Sequence, residues 1–278
     1  MPVPALTDRL ALLTLAVFVV AACSPTAEEV ASTPAASTAP KATVAPAQER
    51  FNLHDAIAKH RKLLRQAPGR TGILKEESKY SLFDEELIIR DFFQDRRDGF
   101  FVDVGCAWPI RANNTYYLEK HLGWTGVGVD ALPDYAPMWE DERPISKFFN
   151  FLVTDRSGTK ESFFRSESLG LSSTSAHRAD GKHFGGELAV EEVKISSITL
   201  NDLLDRVGAT KVDLLSMDIE GHELTALRGF DIDRFQPDLV VTEGRRPGVE
   251  AYFKDHGYER IERYLPFDLA NVYYRRVE

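Results

Sequence analysis

Cysteine is almost missing from this chain. Its 278 residues hold two, Cys23 and Cys106, in unrelated surroundings, so a disulfide framework is excluded. Positive charge is also short: 34 Lys and Arg stand against 43 Asp and Glu, a net charge of −9. An acidic chain repels phosphate backbones, which excludes nucleic acid as the expected substrate. The apolar run Leu10 to Val20 is eleven residues long, too few to span a bilayer. The Gly-x-Gly-x-x-Gly fingerprint is absent, which disfavours a nucleotide-dependent oxidoreductase. No internal repeat is evident. What the length leaves room for is one sizeable domain with extensions.

The first 48 residues read as a targeting segment and a tether. Arg9 precedes the apolar run and Ala21-Ala22-Cys23-Ser24 follows it, the layout of a signal peptide over 1–22. Val20-Ala21-Ala22-Cys23 resembles the bacterial lipobox, in which the cysteine is lipidated. The same run also fits an ordinary secretory signal with Cys23 incidental. Residues 24–48 contain eight Ala, four Pro and seven Ser or Thr, a composition that cannot bury a core. Residues 23–48 are therefore expected to be a disordered tether, spanning on the order of 30 Å as a random coil. A lipid anchor on Cys23 places the protein at the cell envelope, facing away from the cytosol; a misassigned start leaves it cytoplasmic. Residues 49–278 are the expected folded domain, large enough to bury roughly 70–75% of its unfolded surface.

Within that domain, three apolar runs end in carboxylates: Phe100 to Asp103-Val104-Gly105, Gly126 to Asp130, and Val212 to Asp218-Ile219-Glu220-Gly221. Acids at the carboxyl ends of parallel strands face a crevice, whereas acids inside buried strands are costly to desolvate. The first two runs are one βαβ unit apart, the spacing at which a second-strand acid reaches a nucleoside ribose. Helical periodicity is expected from Phe51, and again over 84–94 with Leu87, Ile88, Phe92 and Phe93 inward. The alternation that follows predicts strand 100–104, helix 113–122, strand 126–130, helix 134–142 and strand 146–152. Residues 155–192 interrupt it with a short hairpin signal at Ser157-Gly158 and a Ser/Gly/His-rich stretch; a lid and a mobile surface insertion are both open readings. Thr199 caps a helix that Gly208 ends. Strand 212–217, helix 223–228, strand 238–242, helix 247–256 and a final pair of strands near 258–263 and 270–276 complete an α/β pattern.

In their order these residues resemble the FkbM family of S-adenosylmethionine-dependent methyltransferases, from about Tyr80 to Tyr258. The anchors are Phe100-Phe101-Val102-Asp103-Val104-Gly105, Asn114-Thr115-Tyr116-Tyr117-Leu118-Glu119, Gly123-Trp124-Thr125-Gly126, Ile198 to Leu204, Leu214 to Glu223, and Leu227-Arg228-Gly229-Phe230. The resemblance implies a class I methyltransferase (Rossmann-like) fold: a mostly parallel seven-stranded sheet, helices on both faces, an antiparallel last strand. It implies S-adenosylmethionine as cofactor and O-methylation of a hydroxyl on a sugar or polyketide-like molecule. Carried over, Asp103, Gly105 and Cys106 lie in the first strand–helix turn beside the cofactor, Asp130 and Ala131 at its ribose, and Asp218 near the sulfonium. Many family members have a Gly-Ala-Asn-Asp-Gly type turn where this chain reads Gly105-Cys106-Ala107-Trp108-Pro109, so a second glycine is missing and Trp108 is bulky; a branch with Pro in this turn, followed by an Asn-Thr-Tyr stretch, is similar to it.

Methyl transfer needs the acceptor oxygen positioned in line with the methyl carbon and a base for its proton. Asp218, His222 and Glu243 are the candidate catalytic residues. His222 titrates in the right range but reads equally as a solvent-facing helix start. Glu220 and Glu223 suit a helix amino terminus. Asp218, Glu220 and Glu243 offer oxygen ligands to Mg²⁺, although no metal is expected. His177 and His183 read as surface residues and Cys106 as packing. The expected partner is a small-molecule or glycan hydroxyl acceptor; the competing reading is a non-catalytic, envelope-anchored glycan-binding module on the same fold.

Overall fold

Strand β1 (Phe100–Val104) is flanked by two parallel neighbours, β2 (Thr125–Asp130) and β7 (Leu214–Met217). Both its faces are buried, as the unbroken apolar run requires of an interior parallel strand. The structure, a computed structural model, describes residues 62, 66–182, 188–244, 246–268 and 270–277. The expected signal peptide 1–22, Cys23, the tether 23–48, the helix from Phe51 and His183 lie outside the described residues.

The main sheet has seven strands in the order β3-β2-β1-β7-β8-β10-β9. Here β3 is Lys147–Asn150, β8 Leu239–Glu243, β9 Tyr258–Arg260 and β10 Asn271–Arg276. Strand β10 is antiparallel to both β8 and β9, with Tyr273 opposite Val241. The other pairings are parallel. The chain builds outward from β1 to β3, then returns to place β7 on the other side of β1. That reversal is a topological switch point, and a crevice opens over the carboxyl ends of the two strands beside it.

Side chains alternate between two cores. Val102, Val104, Leu215 and Met217 pack against helices α5 (Leu200–Val207), α6 (Glu223–Arg228) and α8 (Pro247–Asp255). Phe101, Leu214 and Leu239 face the other way, toward α1 (Glu85–Phe93) and α2 (Tyr116–Leu122). Leu87, Ile88 and Ile89 of α1 are fully buried. Helix α3 (Ala136–Glu142) follows β2, and α7 (Ile232–Phe235) is a single turn that periodicity did not announce.

Three expectations need correcting. Helix α2 starts at Tyr116, not 113, because Asn113 Oδ1 accepts from the backbone N–H of Thr115 and Tyr116 at 3.0 and 2.8 Å and ends the turn there. The strand expected over 146–152 divides at Asn150: Phe151 N–H donates to Asp130 O at 3.0 Å, and β4 (Leu152–Val153) joins a second sheet of order β4-β6-β5. The short hairpin at Ser157-Gly158 is instead a long-range one, with β5 (Lys160–Ser166) antiparallel to β6 (Val190–Ile198). Between them the chain carries a 3₁₀ turn at Leu169–Leu171 and a single helical turn, α4 (Ala176–Ala179).

Thr199 caps α5 as expected, its Oγ1 accepting from Asp202 N–H at 3.1 Å, and Gly208 ends the helix at φ +72°. Thr199→Ala is expected to lower stability by about 1 kcal/mol through the lost cap. Denaturant unfolding would show a lower midpoint at unchanged slope; an unchanged midpoint would remove the cap from the account.

Candidate functional site

A cleft of about 200 Å³ lies over the switch point. Its floor is the meeting of two strand tips. Asp218 N–H donates to Val104 O at 2.9 Å, and a Cβ on Gly105 would stand 1.9 Å from Asp218 O. Only glycine fits there, at φ +78°. From β2, Asp130 turns its carboxylate into the cleft beside this floor. Its Oδ1 accepts from Leu132 N–H at 2.8 Å and its Oδ2 from Ala107 N–H at 3.1 Å. Burial raises its carboxyl to about 6, and the two amides only partly offset this.

One wall is apolar and aromatic. Trp108 and Tyr135 meet edge to face with ring centres 5.3 Å apart; Ala131, Leu132, Phe151 and Leu152 continue the wall. The Tyr135 hydroxyl is buried and has no hydrogen-bond partner among the described residues, so this cleft-lining residue keeps an unused donor. The insertion covers this side: Ser168, Leu169, Gly170, Ser172 and Thr174 line the cleft, and Gly170 packs on Trp108 so closely that a Cβ would meet the indole at 3.3 Å. The segment expected to be either lid or surface loop is therefore part of the site.

The other end is acidic. Asp218, Glu220 and Glu243 line it. Two arginines answer them: Arg178 of α4 lies 2.5 Å from Glu220 and 3.6 Å from Glu243, and Arg246 lies 3.1 Å from Glu243 and 3.3 Å from the fully buried Glu223. Glu220 sits at φ +54°, an unusual left-handed backbone for a long side chain. Asp218 opens onto the cleft, yet desolvation at its floor and the charges of Glu243, Glu220 and Glu223 raise its carboxyl well above the usual range. Burial and Glu243 raise Glu220 to about 7, with Arg178 opposing. Glu243 is raised as well, by burial first and Glu223 second. Among the described residues no His/Cys/Asp/Glu group is arranged to hold a metal ion. The guanidiniums stand where a cation would serve these acids.

The family profile described as Methyltransferase FkbM domain matches residues 98–266. The chain belongs to the FkbM methyltransferase family. No curated protein matches it. Solved structures similar to it include a TehB-like SAM-dependent methyltransferase from Corynebacterium glutamicum, at 14% identity and a TM-score of 0.41 over 81% of this chain and 98% of that one. Another is the 1,6-didemethyltoxoflavin-N1-methyltransferase of Burkholderia thailandensis, bound to 1,6-didemethyltoxoflavin and S-adenosylhomocysteine, at 12% identity and a TM-score of 0.36 over 86% and 93%.

Of the residues that the sequence singled out for cofactor or catalysis, Gly105, Asp130, Ala131, Asp218 and Glu243 are brought together in the cleft. Three are not among its lining residues. Asp103 alternates with Val102 and Val104 and so points behind the turn, where Asn113 Nδ2 and Thr115 Oγ1 donate to it at 3.3 and 2.9 Å; burial raises it to about 6. Cys106 is buried against Gly128 and Trp139, and burial pushes its thiol up. The imidazole of His222 lies between Thr174 Oγ1 and Thr154 Oγ1, 3.4 and 3.3 Å away, and burial lowers its pKa. It touches the cleft only through Thr174. His177 is exposed. Sequence reasoning missed Tyr135, Phe151, Asn114 and Arg178. Asn114 belonged to a motif already quoted, but its bond to Ser216 Oγ, at 3.3 Å, spans two strands and has no local signal.

Glu85, Asp103 and Glu220 are all buried and raised, to about 8, 6 and 7. For Glu85 desolvation leads and Asp268 adds to it. In that window the folded chain holds protons that the unfolded chain has released, so stability increases as pH falls from about 8 to about 6. Thermal unfolding across this window is expected to show a rising midpoint; a falling one would contradict the protonation of these acids.

Proposed function

We propose that the cleft binds S-adenosylmethionine and transfers its methyl group to a hydroxyl of a sugar, glycan or polyketide-like small molecule. The supporting observation is the side-chain-free cradle at Gly105, closed against Asp218 O, with Asp130 presented beside it. The orphaned Tyr135 hydroxyl in the same cleft adds a polar group that calls for a ligand.

The residues present fit that cofactor. Each Asp130 oxygen already accepts one backbone N–H, and an ionised carboxylate keeps a lone pair on each oxygen for a vicinal diol. Ala131, Leu132 and Phe151 give an apolar wall of the kind a purine ring needs. Gly105 lets the backbone approach the amino-acid part. When bound, the cofactor supplies an electrophilic methyl group on a sulfonium. Asp218 then faces the acceptor hydroxyl as the group that takes its proton, since a carboxylate whose pKa is raised is a better base near neutral pH. Glu243, turned toward Arg178 and Arg246, orients the acceptor. The insertion keeps water from the reacting atoms.

Calorimetric titration of the chain with S-adenosylmethionine and S-adenosylhomocysteine tests this reading. Micromolar binding is expected, weakened about 10–100-fold in Asp130→Ala by loss of charge-assisted hydrogen bonds. Protonation of Asp130 removes acceptor capacity, so affinity should fall as pH drops below about 6. No binding by a folded chain would sink the methyltransferase reading and leave the glycan-binding module.

Asp218→Asn separates the roles within the site. With an acceptor in hand, kcat is expected to fall about 10²–10⁴-fold, the usual worth of a positioned base, and by more than cofactor affinity does. An equal loss in both would make Asp218 a binding residue only.

A further inference from the structure

The turn after β1 has no glycine beyond Gly105, yet it adopts a glycine-like backbone. Ala107 stands at φ +43°, and Ala112, at the far end of the same loop, at φ +50°. Left-handed backbone is unfavourable for a residue with a Cβ and persists only where surrounding contacts over-determine it. Those contacts are specific. The four consecutive carbonyls of the turn all point away from the cleft into buried donors. Asn113 Nδ2 lies 3.2 Å from Cys106 O and 3.1 Å from Trp108 O, and shares its two hydrogens among these carbonyls and Asp103 Oδ2 at 3.3 Å. Trp139 Nε1 donates to Ala107 O at 2.7 Å. Arg143 Nη1 donates to Pro109 O at 3.0 Å.

The donors are themselves locked. Arg143 Nη1 also donates to Asn113 Oδ1 at 3.2 Å, its Nη2 to Thr115 Oγ1 at 3.3 Å and its Nε to Glu119 Oε2 at 2.7 Å. The Arg143 guanidinium packs 4.5 Å from the ring centre of Trp139 and 5.5 Å from that of Tyr116. Asn113, Trp139 and Arg143 are 2%, 1% and 1% exposed, and none of them lines the cleft. A buried arginine with this many partners is costly to place without a specific benefit, and here its reach ends on the turn.

We infer that Asn113, Trp139 and Arg143 are positioning residues: they hold the turn 105–109 in the shape that a second glycine otherwise permits. Its carbonyls are captured behind and the N–H groups of Gly105 and Cys106 donate to Val129 O at 2.8 and 3.4 Å, so the turn is fixed on both sides and lines the cleft with Ala107 and Trp108. Ala107 N–H, aimed at Asp130 Oδ2, ties the clamp to the residue proposed to hold the ribose. As regards the cofactor, the inference rests on the reading given under Proposed function; as regards the turn, it stands on the hydrogen bonds alone.

Trp139→Phe tests it with the least disturbance, since it keeps the aromatic ring and removes one donor; Asn113→Ala removes the central one. Hydrogen exchange of the ligand-free chain is read over the amides of residues 105–108, with α5 as an internal reference, beside titration with S-adenosylmethionine. The clamp predicts amide exchange in the turn at least about tenfold faster in both variants with α5 unchanged. It also predicts S-adenosylmethionine affinity about tenfold weaker in Trp139→Phe. Unchanged exchange in the turn overturns the inference, as does acceleration spread equally over α5, which would mark a general loss of stability. Turn exchange that accelerates with affinity untouched overturns the link to the cofactor. A wild-type chain that takes no S-adenosylmethionine, with selective loosening in the variants, refutes the cofactor reading while upholding the clamp.

Discussion

The closest constraint in the site is the contact of the β1 and β7 tips. Their parallel pairing runs to Val104 and Met217, and one more bond, Asp218 N–H to Val104 O, carries it past the last paired residues. Beyond that point the two chains diverge around a position with no room for a side chain, because a Cβ on Gly105 would overlap Asp218 O. The divergence makes the cleft floor. It sends the β1 chain upward into the turn that meets Asp130, and it sends the β7 chain into the Asp218-Ile219-Glu220-Gly221 bend. Both halves of the site are thus set by one backbone contact, and the switch-point topology decides where that contact falls.

Electrostatics supply the second layer. Carboxylates in the bend after β7, on α6 and on β8 would repel one another, and two arginines from outside the sheet relieve them. Arg246 comes from the β8–α8 connection. Arg178 comes from the insertion, and its reach to Glu220 and Glu243 makes that segment part of the electrostatic balance at the strand tips. Removing one partner from a buried charge cluster costs more than the cluster's net worth. The insertion is therefore coupled to the site through charge as well as through Gly170 on Trp108.

The strands were legible because burial on both faces writes an unbroken apolar run, as at 100–104 and 239–243. Helix ends marked by Thr199 and Gly208 were legible from local signals of their own. What failed was non-local. Strand β6 exposes Glu191, Glu192 and Lys194, so its outer half shows no apolar alternation, and it pairs with β5 across a long excursion that no turn signal announces. Helix α2 begins late because Asn113 acts as a capping and clamping side chain, a role its sequence neighbours do not reveal. The cleft residues that end strands, Gly105, Asp130, Asp218 and Glu243, could be read from position. Asp103 and His222 could not, because which way a side chain points at a strand end or helix start depends on partners such as Asn113, Thr115 and Thr174, distant in space or sequence.

The acids of the cleft share a charge but not an environment, and the difference sorts their roles on the proposed reading. Asp130 is held by two backbone amides that favour its ionised form, which suits a residue that must accept hydrogen bonds from a diol. Glu220 faces Arg178, which ties it to structure, and Glu243 is held between Arg178 and Arg246 in the orientation it presents to the acceptor. At Asp218 burial and the charges of Glu243, Glu220 and Glu223 all act to raise its pKa, and its accessible surface is in the cleft. A carboxylate that is reluctant to be charged, and is reachable by a ligand, gains most by taking a proton from that ligand. The environments of these acids therefore single out Asp218 as the residue best placed to receive the acceptor's proton.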